Sequence, residues 1–218
     1  MAGEIMQLVK REIASEWKQK YAFGGVLLYT ASAVFICRLC LGSIPDPLTW
    51  SALFWIILLF ASVNASAKSF LQETRGRLLY FYFMAGPRSI ILSKIIYNLL
   101  LTLLLSLLCY LLYILFLGDP ITNRGLFFLT VLLGATGFSC ILTMVSAIAS
   151  KTNNNFSLMA VLSFPLIFPL IMTLIRLSRM AIEDLPWSVC YKYILILALI
   201  DLIVVLLSYL LFPYLWRD

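Results

Sequence analysis

Six apolar stretches of membrane-spanning length run through this chain, at about 21–41, 50–67, 90–117, 125–149, 156–175 and 193–216. A helix rises about 1.5 Å per residue, so about twenty residues cross a hydrocarbon core of about 30 Å. The stretches are continuous rather than alternating, and leucine-rich runs such as LLLTLLLSLLCYLLYILFL favour helices over barrel strands. The third stretch is longer than a crossing requires, which predicts tilt or projection from the membrane. At 63% hydrophobic and 12% charged residues, the chain is far from the roughly 45–50% and 25% of a soluble domain. The expectation is an all-α integral membrane protein with six transmembrane helices. No polar segment is long enough for a second core, so residues 1–218 read as a single transmembrane domain.

Residues 1–20 precede the first stretch. Ile5, Leu8, Val9, Ile13 and Trp17 form a helical stripe, backed by Glu4, Lys10, Arg11, Glu12, Glu16, Lys18 and Lys20. That pattern suits an amphipathic helix lying in the membrane interface, or alternatively a short helix packed on the rest of the protein. The first apolar stretch is too long for the core of a cleavable signal, and none is expected. The formal charge is +6, but its basic residues are scattered between apolar stretches, which argues against nucleic acid and for an orientation signal. With the N-terminus inside, the inner flanks hold Lys10, Arg11, Lys18, Lys20, Lys68, Arg75, Arg77, Arg88, Lys94, Lys151 and Arg217. The outer flanks hold only Arg38, Arg124, Arg176, Arg179 and Lys192. Both ends are therefore expected inside.

The chain contains no histidine, which removes the commonest general base and metal ligand. It has no G-x-x-x-x-G-K-[ST] phosphate loop and no G-x-S-x-G elbow, so neither an ATPase nor a serine hydrolase is encoded. Five cysteines lie mostly within apolar runs and read as small buried hydrophobes. Cys37 and Cys40 have C-x-x-C spacing, but Leu41 follows where haem attachment needs histidine. Arg38 is near enough to the end of its stretch to reach headgroups. Asp201 lies well inside the sixth stretch, where a carboxylate needs a partner or water; a structural hydrogen bond and a substrate role are both open. The fourth stretch carries Gly134, Ala135, Thr136, Gly137, Ser139, Thr143 and Ser146, a small-residue face for close helix contact. Pro165 and Pro169 predict a kink or break in the fifth.

Two connections are long. The inner one, KSFLQETRGRLLYFYFMAGPRS, mixes polar Ser69, Gln72, Glu73, Arg75 and Arg77 with apolar Phe70, Leu71, Leu78 and Leu79, and ends at Gly86-Pro87. The outer one, 176–192, mixes charges with Pro186 and Trp187 and reads as a short amphipathic or re-entrant element.

An amphipathic N-terminal helix, six spans and a long inner loop between spans two and three resemble an ABC-2 type permease. Within that group the chain resembles the haem exporter B family (CcmB) of bacterial cytochrome c maturation. The resemblance is carried by Phe70, Gly76, Leu78, Pro87 and Lys94 around the inner loop, by LLGATGFSCILTMVSAIAS in span four, and by VLSFPLIFPLIM with Pro165 and Pro169. The chain departs from the pattern in LYFYFM before Ala85-Gly86-Pro87, and in sparse, partly basic charges after Lys68. The resemblance implies a non-catalytic permease subunit in a bacterial inner membrane, with two permease copies, a separate A-type ATPase that holds the ATP, and C and D membrane subunits. A haem chaperone is an indirect partner and haem a candidate cargo of the complex; no cofactor, metal or catalytic residue is assigned to this chain. It also implies an ATPase-coupling loop at Phe70, Glu73, Arg75, Gly76, Arg77 and Leu78. Hinge or packing positions follow at Pro87, Lys94, Gly134, Gly137, Pro165 and Pro169, with Asp201 as an intramembrane charge. The alternatives are an ABC-2 permease for a lipid, glycan or drug, a passive membrane scaffold, and, disfavoured by the missing histidine, an intramembrane enzyme.

Overall fold

The structure is a computed structural model that describes residues 2–18, 20–41, 45–71, 86–150 and 155–217. These residues form seven helices and no strand: α1 (Ala2–Lys18), α2 (Lys20–Leu41), α3 (Pro47–Leu71), α4 (Pro87–Leu117), α5 (Arg124–Ala149), α6 (Asn155–Ile182) and α7 (Trp187–Arg217). Helices α2 to α7 are each long and apolar enough to cross a membrane, which makes the chain an all-α, multi-pass membrane protein. Six crossings return the chain to the side on which it began, so α1 and the end of α7 share one face.

The helix ends follow local chemistry. Asp46 precedes Pro47 and accepts from the Thr49 N–H at 3.2 Å, capping α3. Hydrogen bonds from the Thr49 side chain and N–H hold this exposed carboxyl below the usual carboxylate range. Gly86 and Pro87 open α4, with proline in the first turn, where a missing N–H costs nothing. Gly118 closes α4 at φ 85°, a backbone setting that favours glycine. Asn123 caps α5 by accepting from the Leu126 N–H at 3.1 Å.

The outer segment 176–192 is not a separate amphipathic or re-entrant element. Helix α6 continues to Ile182 and α7 begins at Trp187. Leu177, Ser178, Ala181 and Ile182 prolong the buried face of α6, and Arg179 pairs with Glu183 at 2.7 Å one turn on. The stop comes at Asp184, whose φ is 52°. The Leu185 N–H reaches back to the Met180 oxygen at 3.1 Å, the long bond of a Schellman termination, and Pro186 follows. The loop between α4 and α5 is fastened to this helix end. Thr122 Oγ1 donates to the Ile182 oxygen at 2.8 Å, and the Asn123 N–H donates to the Ala181 oxygen at 2.9 Å.

Helix α5 is the axis of the bundle, packed against α3, α4, α6 and α7, while α2 lies on α3 and α4 and α1 lies on α4. Its span is 67% buried, against 17% for the apolar windows of α2 and α7. Small residues make that central position possible. A Cβ on Gly134 would come within 2.5 Å of the Trp55 indole, and one on Gly137 within 2.7 Å of both Leu170 and Asp201. Above this contact an aromatic core joins α3, α4 and α5. Trp50 stacks on Phe54 with ring centroids 5.7 Å apart, and Tyr113 stands edge-on to both rings at 5.1 and 5.4 Å. The outward faces carry exposed Leu28, Leu115, Val161, Phe164 and Leu202, as lipid contact requires.

Pro165 and Pro169 do not break α6, which runs unbroken through both. Each lacks the N–H that would bond four residues back. Their four-residue spacing puts both on one exposed side of the helix, away from the packed core. Thr173 Oγ1 donates to the Pro169 oxygen at 2.8 Å.

Gly134→Ala forces a rigid indole to move and is expected to cost about 1–3 kcal/mol, as overpacking does. Gly24→Ala, with nothing within 4 Å of the added carbon, is expected to be neutral. Thermal unfolding in detergent compares them; equal midpoints for the two variants would show that the α3–α5 contact is looser than described.

Candidate functional site

The buried side of α5 is polar as well as small. Thr130, Ser139, Thr143 and Ser146 are all buried, and in an apolar medium each hydroxyl needs a partner. Helix α4 supplies a complementary stripe. Lys94, Asn98, Thr102 and Ser106 recur every four residues and are all buried, so they share one face. Asn98 Nδ2 donates to Thr143 Oγ1 at 2.7 Å. Ser139 Oγ donates to the Ile95 oxygen at 2.8 Å. The result is a polar seam between α4 and α5 within the bundle.

The seam has a charged lower end. Lys94 is 1% exposed, and its Nζ lies 3.2 Å from Glu12 Oε1 on α1. Glu4 Oε1, one α1 stretch earlier, accepts from the Gly86 N–H at 3.4 Å. The N-terminal helix therefore packs on the start of α4 through its acidic residues and through buried Val9. Lys94 is thus a buried cation with a carboxylate partner on α1.

Near the middle of the bundle, Asp201 of α7 meets α5. Asp201 Oδ2 lies 2.6 Å from Thr136 Oγ1, and the same hydroxyl lies 2.7 Å from the Leu133 oxygen. One hydroxyl proton thus sits between two acceptors. Asp201 Oδ1, pressed against Gly137, has no partner among the described residues, nor do Asn98 Oδ1 and Ser146 Oγ. On the far side of α5, Trp55 Nε1 donates to Ser178 Oγ at 2.8 Å, tying α3 to α6.

The expected site residues are thus divided. Lys94, Gly134, Gly137 and Asp201 converge on α5 or on helices packed against it. Pro87 is the first residue of α4, and Pro165 and Pro169 face outward from α6. Phe70 lies in the last turn of α3, and Glu73, Arg75, Gly76, Arg77 and Leu78 lie outside the described residues. Glu12, Asn98, Thr136 and Thr143 were not singled out as partners. The four-residue recurrence at 94, 98, 102 and 106 within an apolar run was the available signal for the α4 half. No group of three or more metal-ligating side chains occurs among the described residues. Cys37, Cys40, Cys109, Cys140 and Cys190 are all free. The seam's hydrogen bonds set how α4 and α5 are oriented against each other.

A double-mutant cycle on Asn98→Ala and Thr143→Ala is expected to give a coupling of about 0.6 kcal/mol, the usual worth of an interhelical hydrogen bond in a membrane. Additive unfolding free energies would dissolve the pair. Lys94→Met should loosen α1 and speed its cleavage by added protease while the remaining helices stay protected; unchanged cleavage would mean that Glu12 does not hold α1.

Residues 3–214 match the family model described as CcmB protein. No curated relative matches the chain. The match covers nearly the whole sequence, and the six apolar helices accord with it. The chain belongs to the CcmB family, membrane permease subunits of cytochrome c biogenesis.

Proposed function

We propose that this chain is the permease subunit of an ABC assembly in a bacterial inner membrane, driven by a separate A-type ATPase and working beside C and D membrane subunits. Hydrolysis in the partner is coupled to haem export or to release of a haem-loaded chaperone at the outer face. Family membership over residues 3–214 is the observation that carries this reading. The basic residues favour N-in, C-in orientation, which puts residues 68–86 on the ATPase side. Haem is treated as cargo. With no histidine in the chain, the usual axial ligand would have to come from another subunit, which favours a mechanical role here. Two permease copies per assembly are proposed on the family pattern.

The helix packing supports a route for the movement. Residues 72–85 lead directly into Gly86 and α4, and the same stretch of α4 is tied to α1 through Glu4 and Glu12. A push at Glu73, Arg75 and Arg77 would therefore load α1 and α4 together. Helix α4 bears on α5 along the polar seam, and α5 bears on every other long helix except α2. Phe70, Gly76 and Leu78 would supply the apolar part of the contact with the ATPase. Pro165 and Pro169 place the weakest backbone of α6 on its outward side, where bending meets least resistance.

The test is affinity purification of the full chain in mild detergent, with mass spectrometry of co-purifying subunits. An ATP-binding subunit is expected; its repeated absence would favour a passive scaffold. Reversing Arg75 and Arg77 to Glu is expected to leave assembly intact while ATP hydrolysis no longer supports cytochrome c maturation. Normal maturation in that variant, or labelling of 68–86 from outside the cell, would overturn the coupling role.

A further inference from the structure

A second feature lies beyond the outer end of the polar seam and shares only Ser106 with it. Between the upper halves of α4 and α5, on the face opposite the N-terminus, lies an open-sided cavity of about 670 Å³. Its walls are apolar, with Leu103, Leu107, Phe128 and Leu132 among them, and Leu107, Phe128 and Leu132 are exposed to the surroundings. Its mouth is polar, formed by Tyr110, Asp119 and Arg124. The volume falls within the range of sites for small organic ligands.

Three observations say what fits. The first is depth. From Arg124 at the mouth to Leu132, α5 descends about 12 Å at a rise of about 1.5 Å per residue, close to one leaflet of a hydrocarbon core about 30 Å thick. The second is sidedness. Asp119 and Arg124 flank the turn between two spans, which is headgroup depth, so the polar end of the cavity meets the polar end of a lipid. The third is charge. Asp119 Oδ2 and Arg124 lie 3.4 Å apart, and the Arg124 side chain is 79% exposed. Tyr110 OH reaches the same Oδ2 only at 3.5 Å. Asp119 Oδ1 accepts from the Ile121 N–H at 3.2 Å, but both contacts at Oδ2 are longer than a good hydrogen bond, so Oδ2 can take a stronger donor and the guanidinium a stronger acceptor. The mouth offers one negative and one positive group side by side, the complement of a zwitterion.

We infer that this groove is a binding site for a zwitterionic aminophospholipid, with an acyl chain in the α4–α5 slot, the phosphate on Arg124 and the primary ammonium on Asp119. Arginine is suited to phosphate because its fork of donors matches the oxygens. A primary ammonium donates to Asp119, whereas a quaternary ammonium has no proton to give and an anionic glycerol headgroup meets the carboxylate unfavourably. The site selects by headgroup rather than merely by solvation of the belt.

Native mass spectrometry of the full chain, released from detergent after titration with matched-chain phosphatidylethanolamine, phosphatidylcholine and phosphatidylglycerol, tests this. The ethanolamine lipid is expected to be retained roughly tenfold better, the worth of one charge-assisted contact. Asp119→Asn should erase the preference among headgroups, and Arg124→Gln should weaken all three. Leu132→Trp, which fills the slot from an exposed position, should abolish retention without lowering the unfolding temperature. Equal retention of the three lipids, or retention untouched by Leu132→Trp, overturns the site in favour of ordinary annular lipid. Lipid binding seen only in monomers, with dimers lipid-free and broken by Leu132→Trp, overturns it in favour of a second copy of the chain in the groove.

Discussion

The bundle rests on the closeness with which other helices approach α5. In hydrocarbon no water is released when two apolar helices meet, so association depends on tight packing and on hydrogen bonds between them. Gly134 and Gly137 provide the first. They let Trp55, Leu170 and Asp201 come to distances that any side chain at those positions would forbid. The second follows from the first, because Thr136 reaches Asp201 only where α7 is drawn this near. Trp55 can bond Ser178 across the bundle only because its ring lies over a glycine. Widen the α5 contact and both interhelical links lengthen together.

Two energetic styles coexist around this axis. The α3 side is aromatic, with Trp50 stacked on Phe54 and Tyr113 and Phe127 set edge-on against them. The α4 and α7 side is polar, with hydroxyl and amide pairs of modest individual worth. Aromatic interlock resists sliding, whereas hydrogen-bonded seams can exchange partners at small cost. Orphan polar atoms occur on both sides among the described residues: Asn98 Oδ1, Ser146 Oγ and Asp201 Oδ1 on the polar one, and Trp50 Nε1, Ser62 Oγ and Tyr113 OH on the aromatic one. In a subunit proposed to move, this division assigns α3 to the static part and the α4–α5–α7 contact to the adjustable part.

The sequence disclosed the spans with little ambiguity, because continuous leucine-rich runs dictate both helix and location. Four of the six expected spans end at the same residue as, or within a turn of, the helices observed. The fifth failed at its far end. Arg176 and Arg179 looked like the end of a membrane run, yet the helix is continued by an interleaved apolar face and an Arg179–Glu183 pair. Asp201 and the small-residue face announced themselves through residues that are costly or conspicuous in lipid. Their pairing did not, since which hydroxyl meets which carboxylate depends on helix rotation and depth. The partner of Lys94 was hidden for the same reason, because Glu12 reaches it only once α1 is laid against α4.

The bonds from Thr122 and Asn123 to the last carbonyls of α6 have a consequence for how the outer face can behave. They fuse two separate turns into one rigid cap. Any swing of the upper part of α6 must carry the 118–123 turn with it, and with that turn the carboxylate and guanidinium at the rim of the groove. A disturbance begun at the prolines would therefore be felt by whatever molecule lies against α4 and α5, without passing through the interior of the protein.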